Sequence, residues 1–139
     1  MPVSTNALAG ALTRVGDRWS LLVVDALIDG PRRFAQLQSM VPGIATNVLA
    51  QRLRHLESGR VLMAVPYSQR PVRYSYALTE AGRDLAGAVR LLAQWSADHG
   101  DGEASTPRHS ACGTSLVARW WCPTCDHVSD TEPSEVVWV

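Results

Sequence analysis

The feature that most constrains this chain is a change of hydrophobic period at Gly59. Before that glycine, Ala45, Leu49, Leu53 and Leu56 recur at steps of three and four, which gathers them into the buried stripe of one helix closed by Gly59 in the C′ position. After it, "VLMAVPY" and "VRYSYAL" are rich in β-branched and aromatic residues and flank "SQRP", so they read as two strands joined by a turn. Pro66 confines the first strand to an edge or an irregular end, because proline has no N–H to give to a ladder. Thr79 then caps a long helix with the stripe Ala81, Leu85, Val89 and Leu92, ending near Trp95.

Upstream, Leu8, Leu12, Val15, Trp19, Leu22, Val23 and Ala26 keep the helical period except at Gly16-Asp17, where Asp17 is the N-cap of a second helix. This predicts helices over about 5–15 and 18–29, the second ended by Gly30-Pro31. A short amphipathic segment with Phe34, Leu37 and Met40 on one side leads into the turn "VPGIA" and the leucine-striped helix. Two helices joined by a short glycine-containing turn make a helix-turn-helix. Helix-turn-helix, hairpin and helix, in that order, describe a winged helix: a mainly α chain with a small β-hairpin wing, in the α+β class. The polar stretch "HGDGEASTPR" then reads as a linker. The expected layout is a winged domain over 1–98, a linker over 99–108 and a small C-terminal module over 109–139.

Charge divides along the same line. Residues 1–90 hold eleven arginines against six acids, and residues 91–139 hold two arginines against seven acids. Between Arg32 and Arg73 there are seven arginines and one acid, Glu57, for which duplex phosphate is the natural complement. On a helical wheel the face opposite Leu49, Leu53 and Leu56 carries Asn47, Gln51, Arg54 and Ser58, with Thr46 at the N-terminal end and Arg52 on the same helix. Asn and Gln pair bidentately with adenine and Arg with guanine, so these side chains suit the major groove. Arg70 and Arg73 lie at the hairpin tip, and Arg32 and Arg33 at the start of the first helix of the motif, both suited to the phosphate backbone.

"GDRWSLLVVDALIDGPRRFAQLQ", "PGIATNVLAQRLRHLESGRV" and "PVRYSYALTEAGRDL" resemble the HxlR-type family of bacterial winged-helix transcriptional regulators, over about residues 6–97. The resemblance rests on an ordered set: tryptophan after a Gly-Asp pair, the Gly-Pro-x-x-Phe step, Leu-x-x-Arg-Leu in the recognition helix, and Tyr76, Leu78, Thr79 and Gly82 as the closing signature. It implies a DNA-binding homodimer, with the first and last helices of the winged domain as the dimer surface. Some relatives sense oxidants through a cysteine near the N-terminus, but this chain has no cysteine before Cys112.

All three cysteines fall in "HSACGTSLVARWWCPTCDH". "HSACG" and "CPTCD" share an x-x spacing and are separated by a hairpin-length gap, which predicts a structural zinc ribbon with His109, Cys112, Cys122 and Cys125 as ligands. His127 is the alternative fourth ligand, and Asp126 stands where such a turn commonly has glycine. A redox-active Cys122/Cys125 pair and a ribbon serving only as a protein-interaction module are the competing readings. Trp19, Trp95, Trp120, Trp121 and Trp138 read as core or interface fillers, and any pocket for a small-molecule effector is expected where the ribbon meets the long helix and not on the DNA face. No catalytic constellation is present, so no enzyme is expected. With no apolar run of the ~18 residues that a spanning helix needs and no basic-then-apolar leader, the expected location is the cytoplasm, away from membrane.

Overall fold

The computed structural model describes residues 6–100 and 107–129. The predicted helix start at residue 5, most of the linker, and the part of the C-terminal module from 130 onward, Trp138 included, lie outside the described residues. The chain divides into two compact units, one through Val89 and one from Arg90.

In the first unit, α1 (Ala7–Val15) begins where the Asn6 side chain accepts a hydrogen bond from the Leu8 amide at 2.9 Å. Helix α2 (Ser20–Leu27) begins where the Asp17 carboxylate accepts from the amides of Trp19 and Ser20, each at 3.0 Å, and from the Ser20 hydroxyl. The helix is shorter than the predicted 18–29 and its N-cap position is Trp19, two residues past Asp17, yet the Asp17 carboxylate still satisfies the first amides. Gly30, at φ 137°, turns the chain in a conformation that disfavours any side chain. Strand β1 (Arg32–Arg33) follows, then α3 (Phe34–Met40) and α4 (Thr46–Ser58), the helix-turn-helix.

Strands β2 (Leu62–Gln69) and β3 (Val72–Leu78) form the antiparallel wing, and the sheet order is β1-β3-β2. Pro66 lies on an edge strand, next to a register shift between Pro66 and Ser68, as its missing N–H requires. Strand β1 was not expected: Arg32 pairs with Tyr76 and Arg33 with Ser75, so the two arginines precede α3 as sheet residues. A strand this short has no period of its own; it forms because β3 offers a free edge.

The core is contributed by Val23, Val24 and Leu27 of α2, Leu37 of α3, Leu49, Leu53 and Leu56 of α4, and Leu62 and Leu78 of the wing, all nearly or fully buried. Each fully buried leucine contributes about 1.5–3 kcal/mol of transfer free energy, which makes the α4 stripe the main anchor of that helix. Ala45 is instead exposed as the N-cap of α4, and Ile44 is buried beside it. Met40, Leu8, Leu12, Leu22, Ala81 and Leu92 are also exposed. Periodicity marks an amphipathic face without saying what covers it.

Helix α5 (Glu80–Asp98) starts at Thr79, whose hydroxyl donates to the Arg60 carbonyl at 2.6 Å and accepts from the Gly82 amide at 3.1 Å. The second unit contains the end of α5 and a hairpin of β4 (Trp120–Cys122) and β5 (His127–Ser129), with an isolated bridge between Arg108 and Ser115. Among the described residues no helix is long and apolar enough to cross a membrane.

Candidate nucleic-acid interface

The turn between α3 and α4 is fixed by one side chain. Gln38 donates through Nε2 to the Ile44 carbonyl at 2.8 Å, and its Oε1 accepts from the Thr46 hydroxyl at 3.3 Å. Gly43, at φ 81°, permits the tight bend between them. Because Leu49, Leu53 and Leu56 face the core, α4 turns Thr46, Asn47, Gln51, Arg54 and Ser58 to solvent, and all five are exposed. The other end of α4 is tied to α1: His55 donates from Nε2 to the Arg14 carbonyl at 3.0 Å, and the Arg14 guanidinium donates to the Gly59 carbonyl.

The arginines predicted as DNA contacts fall into three settings. Arg54, Arg70 and Arg73 are exposed, Arg70 in the connection of the wing and Arg73 on β3 opposite Ser68. Arg33 is exposed with its guanidinium 4.3 Å from the centre of the Tyr67 ring, a stacked pair joining β1 to the wing. Arg32 is half-buried, and its Nε is buried without a hydrogen-bond partner. Arg52 is half-buried and pairs with Asp17 at 3.3 Å. The sequence contains a signal for that last setting: Arg52 lies three residues after Leu49 and one before Leu53, beside the apolar stripe. The Arg33–Tyr67 stack joins segments far apart in sequence and has no such local signal. Burial pushes the Tyr76 hydroxyl above its ordinary pKa, with Glu57 adding to the shift and Arg54 opposing it, which puts this residue of the sheet in the electrostatic field of α4.

The cysteine segment forms two turns of similar design. In the first, His109 Nδ1 lies 3.4 Å from Cys112 Sγ, and Gly113 follows at φ 70°. In the second, Cys122 and Cys125 are neighbours and Asp126 follows at φ 50°, the left-handed position at which glycine was the commoner residue. Its carboxylate accepts from Trp121 Nε1 at 3.3 Å. Amides of Cys125 and Thr124 hold the Cys122 thiol below its ordinary pKa, whereas Cys122 beside it pushes Cys125 up. The Thr114 hydroxyl and amide, and then His109, lower Cys112. His127 is the cross-strand partner of Cys122. Among the described residues the two turns do not combine into a group of three or more potential metal ligands.

Residues 14–104 match the HxlR-like helix-turn-helix family. The chain belongs to that family. It is 41% identical over 123 residues to Rv3095 of Mycobacterium tuberculosis, named an uncharacterized HTH-type transcriptional regulator, covering 86% of this chain and 77% of the relative. It is 32% identical over 89 residues to the HTH-type transcriptional regulator YodB of Bacillus subtilis, covering 64% and 80%. Among solved structures, PA1607 matches with a TM-score of 0.78 at 27% identity over 97% of this chain and 96% of its own. The redox regulator HypR in its reduced form matches with a TM-score of 0.65 at 29% identity over 69% and 95%. The winged helix-turn-helix is thus the common fold, and PA1607 matches along almost the whole chain. As an HxlR-like transcriptional regulator the protein is a DNA-binding regulator and not an enzyme.

Proposed function

We propose that this HxlR-like regulator binds a palindromic operator as a homodimer, reads bases with the outer face of α4 and carries a structural zinc in its C-terminal segment. The reading is carried by α4, whose three leucines are buried while Asn47, Gln51 and Arg54 project outward from a helix held at its start through Thr46 and Gln38 and near its end through His55 and Arg14. Asn47 and Gln51 suit adenine edges and Arg54 suits guanine. Arg70 and Arg73 on the wing, with Arg32 and Arg33 at the sheet edge, supply positive charge for the backbone, which fixes register without reading sequence. Dimerisation is supported by exposed apolar side chains: Leu8 and Leu12 on α1, and Leu91, Leu92 and Trp95 on α5. Residues 1–98 then act as the DNA-binding and dimerisation domain, joined by the linker 99–108 to the metal module at 109–139. Selecting bound fragments from the organism's own genome and footprinting them tests this. Two inverted half-sites about one helical turn apart, roughly 34–36 Å, or a multiple of that, are expected; a single unpaired half-site would contradict it.

Zinc is supported by the chemistry and spacing of the donors. Three thiols and an imidazole are the donor types of a tetrahedral structural site, and both turns place a left-handed residue directly after a cysteine. His109, Cys112, Cys122 and Cys125 would hold the ion, which would draw the two turns together and act as a folding ligand for a segment whose tryptophans are exposed. The competing redox reading draws on the adjacent Cys122 and Cys125 and on the likeness to HypR. The segment matching the family, residues 14–104, contains no cysteine, so redox chemistry in that part of a relative does not carry over to these thiols.

A further inference from the structure

We infer that Arg52 is a positioning residue: paired with Asp17, it sets the rotation of the recognition helix α4 against the start of α2, and it does not itself neutralise a DNA phosphate. The inference rests on the proposed reading of α4 as the base-reading helix. Arg52 lies 3.3 Å from Asp17 Oδ2, with the two side chains 23% and 32% exposed. The carboxylate is not free to follow its partner. It is pinned by the amides of Trp19 and Ser20 at 3.0 Å and by the hydroxyl of Ser20, a fully buried residue. Burial opposes ionisation of Asp17, but the Ser20 hydroxyl, the two amides and Arg52 together hold its pKa below the ordinary value, so it is charged at neutral pH.

Packing of Leu49, Leu53 and Leu56 seats α4 on the core, yet apolar burial is non-directional and tolerates small rotations about the helix axis. A charge-assisted contact from guanidinium to a fixed carboxylate is directional and resists them. Arg52 supplies it part-way along α4, while His55 and Gly59 supply the contacts to α1 at the end. Rotation of α4 would sweep the tips of Gln51 and Arg54 away from the base edges while leaving the wing arginines in place. Discrimination between sequences, and not general affinity for DNA, is what the pair protects. Arg54 differs from Arg52 in this respect: it is exposed and makes no ion pair among the described residues.

Asp17→Asn separates the two roles by sign. Asparagine still accepts from the first amides of α2, so the cap is retained while the charge is lost. If Arg52 positions the helix, the full-length variant binds a duplex recovered by selection from a random pool about tenfold more weakly, and binds a scrambled duplex of equal length as the parent does. If Arg52 were a phosphate clamp restrained by Asp17, removing that carboxylate would tighten binding to both duplexes and overturn the inference. Arg52→Gln leaves the α2 cap untouched and carries the same comparison should Asp17→Asn fold poorly. It is expected to lose affinity for the selected duplex with an unchanged salt slope; a slope reduced by about 1 per copy, about 2 for the dimer, on both duplexes would identify a phosphate contact. Equal binding by parent and both variants would also overturn the inference. A parent that binds neither duplex would refute the DNA reading itself, and this inference with it.

Discussion

A β-carbon at Gly82 would lie 2.0 Å from the carbonyl oxygen of Val61, so the first turn of α5 rests directly on the backbone that leads into the wing. The Thr79 hydroxyl bridges the same junction through Arg60 and Gly82. Gly82→Ala is therefore expected to cost about 1–3 kcal/mol by overpacking, lowering the melting temperature by several degrees. Gly87→Ala, on the same helix with nothing within 4 Å, is the control, expected to be neutral or stabilising by up to about 1 kcal/mol. Indistinguishable melting of Gly82→Ala and parent would contradict this account of the junction.

Base reading and backbone clamping should separate by mutation. Gln51→Ala and Arg54→Ala are expected to cost about 1–3 kcal/mol on the preferred site and to relax sequence choice, while Arg70→Ala weakens all duplexes alike and reduces the salt slope by about 1 for each copy, about 2 for the dimer. Competition binding with selected and scrambled duplexes distinguishes them. Equal losses on both duplexes for the α4 variants would mean that another face of the helix enters the groove.

The exposed leucines on α1 and α5 test the dimer. Leu12→Glu and Leu92→Glu place a charge on side chains that are 55% and 54% exposed, so neither change disturbs the core of the first unit. Sedimentation of the parent is expected to show a dimer and that of the variants a shift toward monomer, because an unpaired charge at the centre of an apolar interface is costly. Unchanged sedimentation of both variants would place the interface elsewhere.

One zinc per chain is expected in protein purified without added metal, by elemental analysis. Cys122→Ser and His109→Ala should lose it. Loss with His127→Ala but not with His109→Ala would give the fourth position to His127, which sits across the hairpin from Cys122. Chelation is expected to loosen the segment beyond residue 108 and leave the winged helix folded, so DNA affinity falls only modestly. A metal-free parent would end the zinc reading and turn attention to redox titration of the Cys122/Cys125 pair.

The parts of this fold that were legible in sequence are those with a period. The α4 leucines, the wing strands and the cap at Asp17 each follow from local spacing, and so does the outward face bearing Asn47, Gln51 and Arg54. Strand β1 was not legible, since Arg32 and Arg33 become sheet residues only because β3 presents a free edge to them. The stacking of Arg33 on Tyr67 and the pairing of Arg52 with Asp17 depend on tertiary contact, so charge and type alone counted Arg52 among the DNA contacts with the exposed Arg54. The helical period picks out Leu8, Leu12 and Leu92 without saying what covers them; they lie on faces that leave the core of their own chain.

The most direct measurement is the affinity of the unmodified full chain for its selected duplex as a function of salt concentration. Each phosphate neutralised by an arginine contributes about −0.9 to the slope of log K against log salt, so a dimer using Arg70 and Arg73 from both copies should show a slope of about −4 or steeper. A slope near zero would contradict the account, because no DNA-binding surface built from these arginines could produce it.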